Sequence, residues 1–124
     1  MDSGESVHVE LPPDELRLLR WGLANWGGPG YCTDAMAKAM GFEDAHTMLD
    51  EVEGLRRDLV ATSSLTPRDW SRALIALEVV FASDVIGAAG DWAIVTGWTD
   101  EQTLVVLRTL QNRLRGVRSR IIDP

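Results

Sequence analysis

The stretch from Thr66 to Gly87, TPRDWSRALIALEVVFASDVIG, constrains this chain more than any other. Thr66 supplies a capping hydroxyl, Pro67 suits the first helical position, and Asp69 stands three residues after the cap, so a helix is predicted to begin here. It runs to Ile86 or Gly87, where Gly87, Gly90 and a loop around Trp92 break the pattern. At about 100° per residue Trp70, Leu74, Leu77 and Phe81 lie together, while Ile75, Val79 and Ile86 fall on the far side. Apolar side chains therefore surround the axis. Such a helix has to be covered on every side, and where four other helices of so short a chain do not suffice, a second subunit is expected to supply the missing cover.

Four further helices are predicted, with no convincing strand and no internal repeat. Pro12 and Pro13, followed by Asp14 and Glu15, open the first, whose stripe is Leu16, Leu19, Leu23 and Trp26; Gly27, Gly28, Pro29 and Gly30 end it. Thr33 caps a short second helix that stops at Gly41. A third runs from about Asp44 to Ala61 on the stripe Ala45, Met48, Leu49, Val52, Leu55 and Leu59. The last begins at the Thr99 to Gln102 capping box and carries Val106, Leu107, Leu110, Leu114 and Val117. The expected fold is all-α: a compact bundle of about five helices around the central one at 67–87. Residues 1–10 are read as a flexible acidic arm, 11–117 as one domain and 118–124 as a frayed tail.

With 124 residues, 45% of them apolar, the chain can bury a core without disulfides or a structural metal. Cys32 is alone, and His8 and His46 have no companions at ligand spacing, so no metal and no cofactor is expected. No apolar run is long enough for a membrane span, and a cytoplasmic protein is expected. A net charge of −7 repels nucleic acid at long range, leaving only the C-terminal arginines Arg108, Arg113, Arg115, Arg118 and Arg120 as a basic patch. Arginine outnumbers lysine strongly, with Lys38 the single lysine, a bias typical of a GC-rich bacterial genome.

Two carboxylates in the apolar helix need an explanation. Glu78 and Asp84 would each be costly to bury unpaired, so each is either held by an arginine such as Arg20, Arg72 or Arg108, or reaches water, or anchors a ligand. They point about 120° apart, which does not make an acid/base pair. Trp26, Tyr31, Trp92 and Trp98 stand at glycine-rich loops, either filling the core or lining a small-molecule pocket with Glu78 or Asp84 as its polar anchor. The loop between Trp26 and Tyr31 lacks the lysine and hydroxyl of a phosphate loop and follows a helix instead of a strand.

Residues 33–53 have the outline of a helix-turn-helix, with Ala37 and Gly41 four apart. The would-be recognition helix carries Glu43, Asp44, Asp50, Glu51 and Glu53 and no cation before Arg56, which argues against DNA. Arg108, Asn112 and Arg115 share one face of the last helix, either a solvated face or a docking surface for an acidic partner. Cys32, beside a helix N-terminus, is open to a lowered pKa or is simply a packed small side chain.

The segment from about Pro67 to Leu114, with DWSRALIALEVVFASDVIGAAGDW followed by a capped helix, resembles small uncharacterised helical proteins of actinobacteria. That resemblance implies a bacterial protein and carries no functional residue. The leading expectation is a non-enzymatic interaction or regulatory protein, a homodimer that buries part of the central helix. The alternatives are a small-molecule binder or minor enzyme with the tryptophan pocket, and a DNA-binding regulator acting through 33–53 or the Arg108 face.

Overall fold

The computed structural model describes residues 5–27, 32–83 and 90–117, with the Val95 side chain excepted. Among these residues the chain is mostly helical, with six α-helices and one two-stranded sheet. In order they are β1 (Val7–Glu10), α1 (Pro13–Ala24), a 3-10 turn (Asn25–Gly27), α2 (Asp34–Ala39), α3 (Ala45–Asp58), β2 (Thr62–Leu65), α4 (Pro67–Ala82), α5 (Trp92–Thr96) and α6 (Asp100–Leu114).

The helix starts follow local chemistry. The hydroxyls of Thr33, Thr66 and Thr99 accept from the backbone N–H of Met36, Asp69 and Gln102, and the Asp44 carboxylate accepts from Thr47 at 2.7 Å. At Thr99 the box is reciprocal, because the Gln102 side chain accepts from the Thr99 N–H at 2.9 Å. Gly41 adopts a φ of 96° after α2, and Gly97 a φ of 79° after α5, conformations that glycine reaches without a Cβ penalty.

Two expectations are corrected. The sequence VHVE is a strand, paired antiparallel with TSSL in the register Val7 to Leu65 and Glu10 to Thr62, so the arm expected before Leu11 is ordered from Val7. Val9, Ser63 and Leu65 face inward, and the carbonyl of Val7 accepts from the Trp70 indole at 3.0 Å, tying the sheet to the first turns of α4. The alternation in VHVE is the period-2 signal of a strand, but four residues with a weak partner fall below what pattern alone resolves. The loop expected around Trp92 is the short helix α5, because Trp92 turns inward and is fully buried.

The core assembles where α4 meets α1. Leu18, Leu19, Gly22 and Leu23 of α1 lie against a face of α4 that includes the small residues Ala73 and Ala76 beside Leu74 and Leu77. Each of these buried leucines contributes roughly 2 kcal/mol by leaving water. The α1 stripe is rotated from the predicted one: Leu18 is in the core and Leu16 is only partly buried. α3 adds Met48, Val52 and Leu55, and α6 adds Leu107, Leu110 and Leu114.

Helix α4 is covered from within the chain. Val80 is fully buried, Val79, Ile75 and Phe81 are partly buried, and Phe81 meets Trp92 edge-on at 5.1 Å. Neighbours within the chain thus cover much of α4, while Ile75, Val79 and Phe81 keep part of their surface exposed. The helix ends earlier than the predicted Ile86 or Gly87, at Ala82, because Ser83 turns to an extended conformation as its C-cap; residues 84–89 lie outside the described residues.

At Gly22 the two principal helices touch backbone to backbone. A Cβ there would lie 2.8 Å from the Leu77 Cα and 2.7 Å from its Cβ, atoms that cannot swing aside. Gly22→Ala is expected to destabilise the chain by about 2 kcal/mol or more, the range of overpacked cores. Gly54, in the middle of α3, has open space around its Cβ position, with only the far end of the Arg57 side chain at 4.0 Å. Gly54→Ala is expected to stabilise by about 0.5 to 1 kcal/mol. Urea unfolding midpoints read both; equal effects would mean α1 and α4 do not approach this closely.

Candidate functional site

Of the six residues singled out as a pocket, Trp26, Glu78, Trp92 and Trp98 lie among the described residues. Trp26 is buried, and its indole donates to the Ala76 carbonyl of α4 at 3.0 Å. Trp92 is buried and donates to the Thr103 hydroxyl at 2.7 Å, which in turn donates to the Thr99 carbonyl at 2.9 Å. Trp98 is partly buried and meets Trp21 edge-on, ring centres 4.9 Å apart. Tyr31 and Asp84 lie outside the described residues. Trp26 and Trp92 thus use both their apolar rings and their N–H groups to fasten helices together.

Glu78 has a partner, and it is not an arginine. Its carboxylate accepts from the Gln111 amide of α6 at 2.7 Å, while the Gln111 oxygen accepts from Arg108 at 2.7 Å. Glu78 and Arg108 are therefore the two ends of a bridge across α4 and α6. Of the other arginines considered for it, Arg20 donates to the Leu59 carbonyl and Arg72 pairs with Glu51.

Two buried charges matter more than Glu78 and were not foreseen. Glu15 is 4% exposed and receives Nε and Nη2 of Arg113, at 2.7 and 3.2 Å, across 98 residues of sequence. Hydrogen bonding to that carboxylate raises the Arg113 pKa above its ordinary value. Glu15 precedes Leu18 and Leu19 by one turn, so its place on the core face of α1 was visible; its partner was not. Arg72 is buried too: it donates twice to the Gly41 carbonyl, pairs with Glu51 at 2.8 Å and lies over the Phe42 ring at 5.1 Å. One guanidinium thus binds α4 to the turn between α2 and α3.

Within residues 33–53, α2 and α3 are joined through a turn at Gly41, with Ala37 fully buried. Four of the segment's acids are occupied inside the chain, while Glu43 and Asp50 are exposed. Asp34 accepts from the Ala45 N–H, Asp44 caps α3, Glu51 holds Arg72 and Glu53 holds Arg56. Cys32 departs from the lowered pKa considered for it: burial first, and the Asp34 charge second, push its thiol up. Among the described residues no three His, Cys, Asp or Glu side chains gather as a metal site, and no helix is long and apolar enough to cross a membrane.

Arg108, Asn112 and Arg115 of α6 are all exposed, and Leu104 and Val105 share that side at 45% and 66% exposure. Ile94 on α5 is 82% exposed. A separate open groove of 490 Å³ lies over α1 and the end of α3, lined by residues that include Leu16, Arg17, Arg20, Trp21, Ala24 and Arg56. Comparison of the chain with protein-family models, with curated proteins and with solved structures finds no match.

Arg113→Met leaves the Glu15 carboxylate buried without its partner and is expected to destabilise by roughly 2 kcal/mol, with Glu15→Leu added to it recovering part of the loss. Chemical denaturation of the two variants checks this. The Asp44 carboxylate is held below the usual range chiefly by the Thr47 backbone N–H. Its cap therefore stabilises the fold above the ordinary carboxylate pKa and is lost as pH falls through the lowered value. The stability difference between the parent chain and Asp44→Ala is expected to vanish in acid; a difference constant down to full protonation would contradict the cap.

Proposed function

We propose that this chain is a non-enzymatic interaction protein that works as a homodimer joined through the outer face of α6. The observation that carries this reading is the exposed stripe Glu101, Leu104, Val105 and Arg108, which lies opposite the buried stripe of Thr103, Leu107, Leu110 and Leu114. Leu104 and Val105 offer an apolar centre, and opposite charges flank it, Glu101 three residues before Leu104 and Arg108 three residues after Val105.

That spacing is self-complementary. If two copies pack α6 against α6 in antiparallel fashion about a point between residues 104 and 105, Glu101 of each copy faces Arg108 of the other. Both ion pairs form at once because the two residues are seven apart, about 10 Å along either helix. Asn112 and Arg115 extend the same face. The 15 residues of α6 span only about 22 Å, and one such face falls short of the roughly 800 Å² a side of a standard interface. The dimer is therefore expected to dissociate on dilution. A lone thiol at Cys32 fits the reducing cytoplasm of a bacterium, the setting this reading assumes.

Absolute mass by light scattering during size exclusion, over a range of loading concentrations, tests it. The parent chain is expected to move from monomer to dimer with concentration, Val105→Asp to remain monomeric, and Glu101→Arg to weaken the dimer. Adding Arg108→Glu to Glu101→Arg restores opposite pairs and is expected to restore the dimer. A monomer at every concentration, or a dimer indifferent to Val105→Asp, would overturn the reading.

A further inference from the structure

The groove over α1 is built from the face of that helix which turns away from the core. Leu16, Arg17, Arg20, Trp21 and Ala24 recur at three- and four-residue steps on the side opposite Leu18, Leu19, Gly22 and Leu23, and Arg56 of α3 closes the edge. Such a face would ordinarily mix both signs of charge. Here three guanidiniums converge, and none of the lining residues is a carboxylate, in a chain whose net charge is −7.

The arginines keep donors to offer. Arg20 spends Nη1 on the Leu59 carbonyl at 3.3 Å, which fixes its stem between α1 and the end of α3. Arg56 uses Nε and Nη2 on Glu53. Arg17 lies 5.9 Å from the centre of the Trp21 ring and makes no ion pair among the described residues. Like charges one turn apart, as Arg17 and Arg20 are, oppose helix formation slightly, a cost that a bound anion would relieve.

Trp21 supplies the other half of the chemistry. It is partly exposed, and Trp98 holds its ring edge-on at 4.9 Å. The indole N–H groups of Trp26, Trp70 and Trp92 are each bonded to protein oxygens, whereas that of Trp21 has no protein acceptor among the described residues. Leu16 and Ala24 continue the apolar surface beside it. The volume of 490 Å³ lies within the range of small-molecule sites, and well above what an inorganic ion needs.

We infer that this groove binds a small organic anion, a carboxylate or phosphate carried on a flat aromatic ring. The ring lies on Trp21, Leu16 and Ala24, and the anionic group takes charge-assisted hydrogen bonds from Arg17, Arg20 and Arg56. The apolar floor selects against free phosphate. The inference rests on α1 and α3 and is independent of self-association through α6.

Naphthalene-2-carboxylate is a suitable probe, with the neutral naphthalene-2-methanol as its control. Each is titrated into the full chain while the five tryptophan indole N–H resonances are followed by NMR. The carboxylate is expected to move the Trp21 resonance most and to leave those of Trp26, Trp70 and Trp92 in place. The alcohol is expected to bind about tenfold more weakly or less, and Arg17→Gln with Arg20→Gln to weaken the carboxylate by a similar factor. Arg17→Glu alone, at an exposed position outside the core, keeps the test valid if loss of the Arg20 bond disturbs folding. Equal binding of acid and alcohol, an unmoved Trp21 resonance, or indifference to the arginine variants would overturn the inference. So would an oligoglutamate peptide that displaces the naphthoate and binds more tightly, which would make the groove a peptide site.

Discussion

Everything else in this fold depends on how closely α1 lies on α4. With Gly22 opposite Leu77, the two backbones approach to a distance that no side chain larger than hydrogen permits. That approach brings the turn after α1 near enough for the Trp26 indole to donate to Ala76, a carbonyl in the middle of α4. It also sets α4 deep enough for other elements to reach its remaining sides: β2 and the Trp70 bond at one end, Phe81 against Trp92 at the other. An all-round apolar helix is viable in a chain this short because its principal neighbour comes so close.

Burial at the centre is combined with polar fastening at the margins. Glu15 and Arg113 join the first helix to the last, and Arg72 joins α4 to the turn before α3. Neither is strong evidence of net stability, since desolvation offsets much of what pairing returns. Their effect is on specificity: a packing that rotated α1 or slid α6 would bury Glu15 without a partner, and its cost would exclude that arrangement. Glu78, Gln111 and Arg108 act in the same way at the α4 to α6 contact, where a single amide serves both charges.

What could be read from the sequence was local. Thr33, Thr66 and Thr99 announce their helices because a cap is chemistry within four residues, and all three side chains accept the bonds expected of them, while Asp44, read only as the start of the third helix, caps it as well. Strands β1 and β2 were illegible because each is four residues long and acquires meaning only from a partner about 55 residues away in the chain. Glu15 with Arg113, separated by 98 residues, hides for the same reason. The tryptophans left two readings open. Aromatic residues beside glycines suit either a pocket or a joint, and what decides between them is the acceptor for the indole N–H, a carbonyl for Trp26 and a hydroxyl for Trp92, which only the fold supplies.

The distribution of charge ties these observations together. Acidic residues predominate in composition, yet those of α2 and α3 are largely spent inside the chain: Asp34 and Asp44 on backbone N–H groups, Glu51 on Arg72 and Glu53 on Arg56. Several arginines have only light commitments. Arg17 and Arg20 look outward over α1, and Arg108 and Arg115 over α6, each group beside exposed apolar side chains. A carboxylate bonded to a helix N-terminus still contributes to net charge, but its local field is offset by the N–H groups that hold it. Net charge therefore hides local variation, since guanidinium groups gather over α1 and stand beside exposed apolar side chains on α6, where Glu101 also lies. A molecule approaching from a distance meets a net negative charge; within roughly a Debye length of about 8 Å of either arginine face it meets guanidinium groups first.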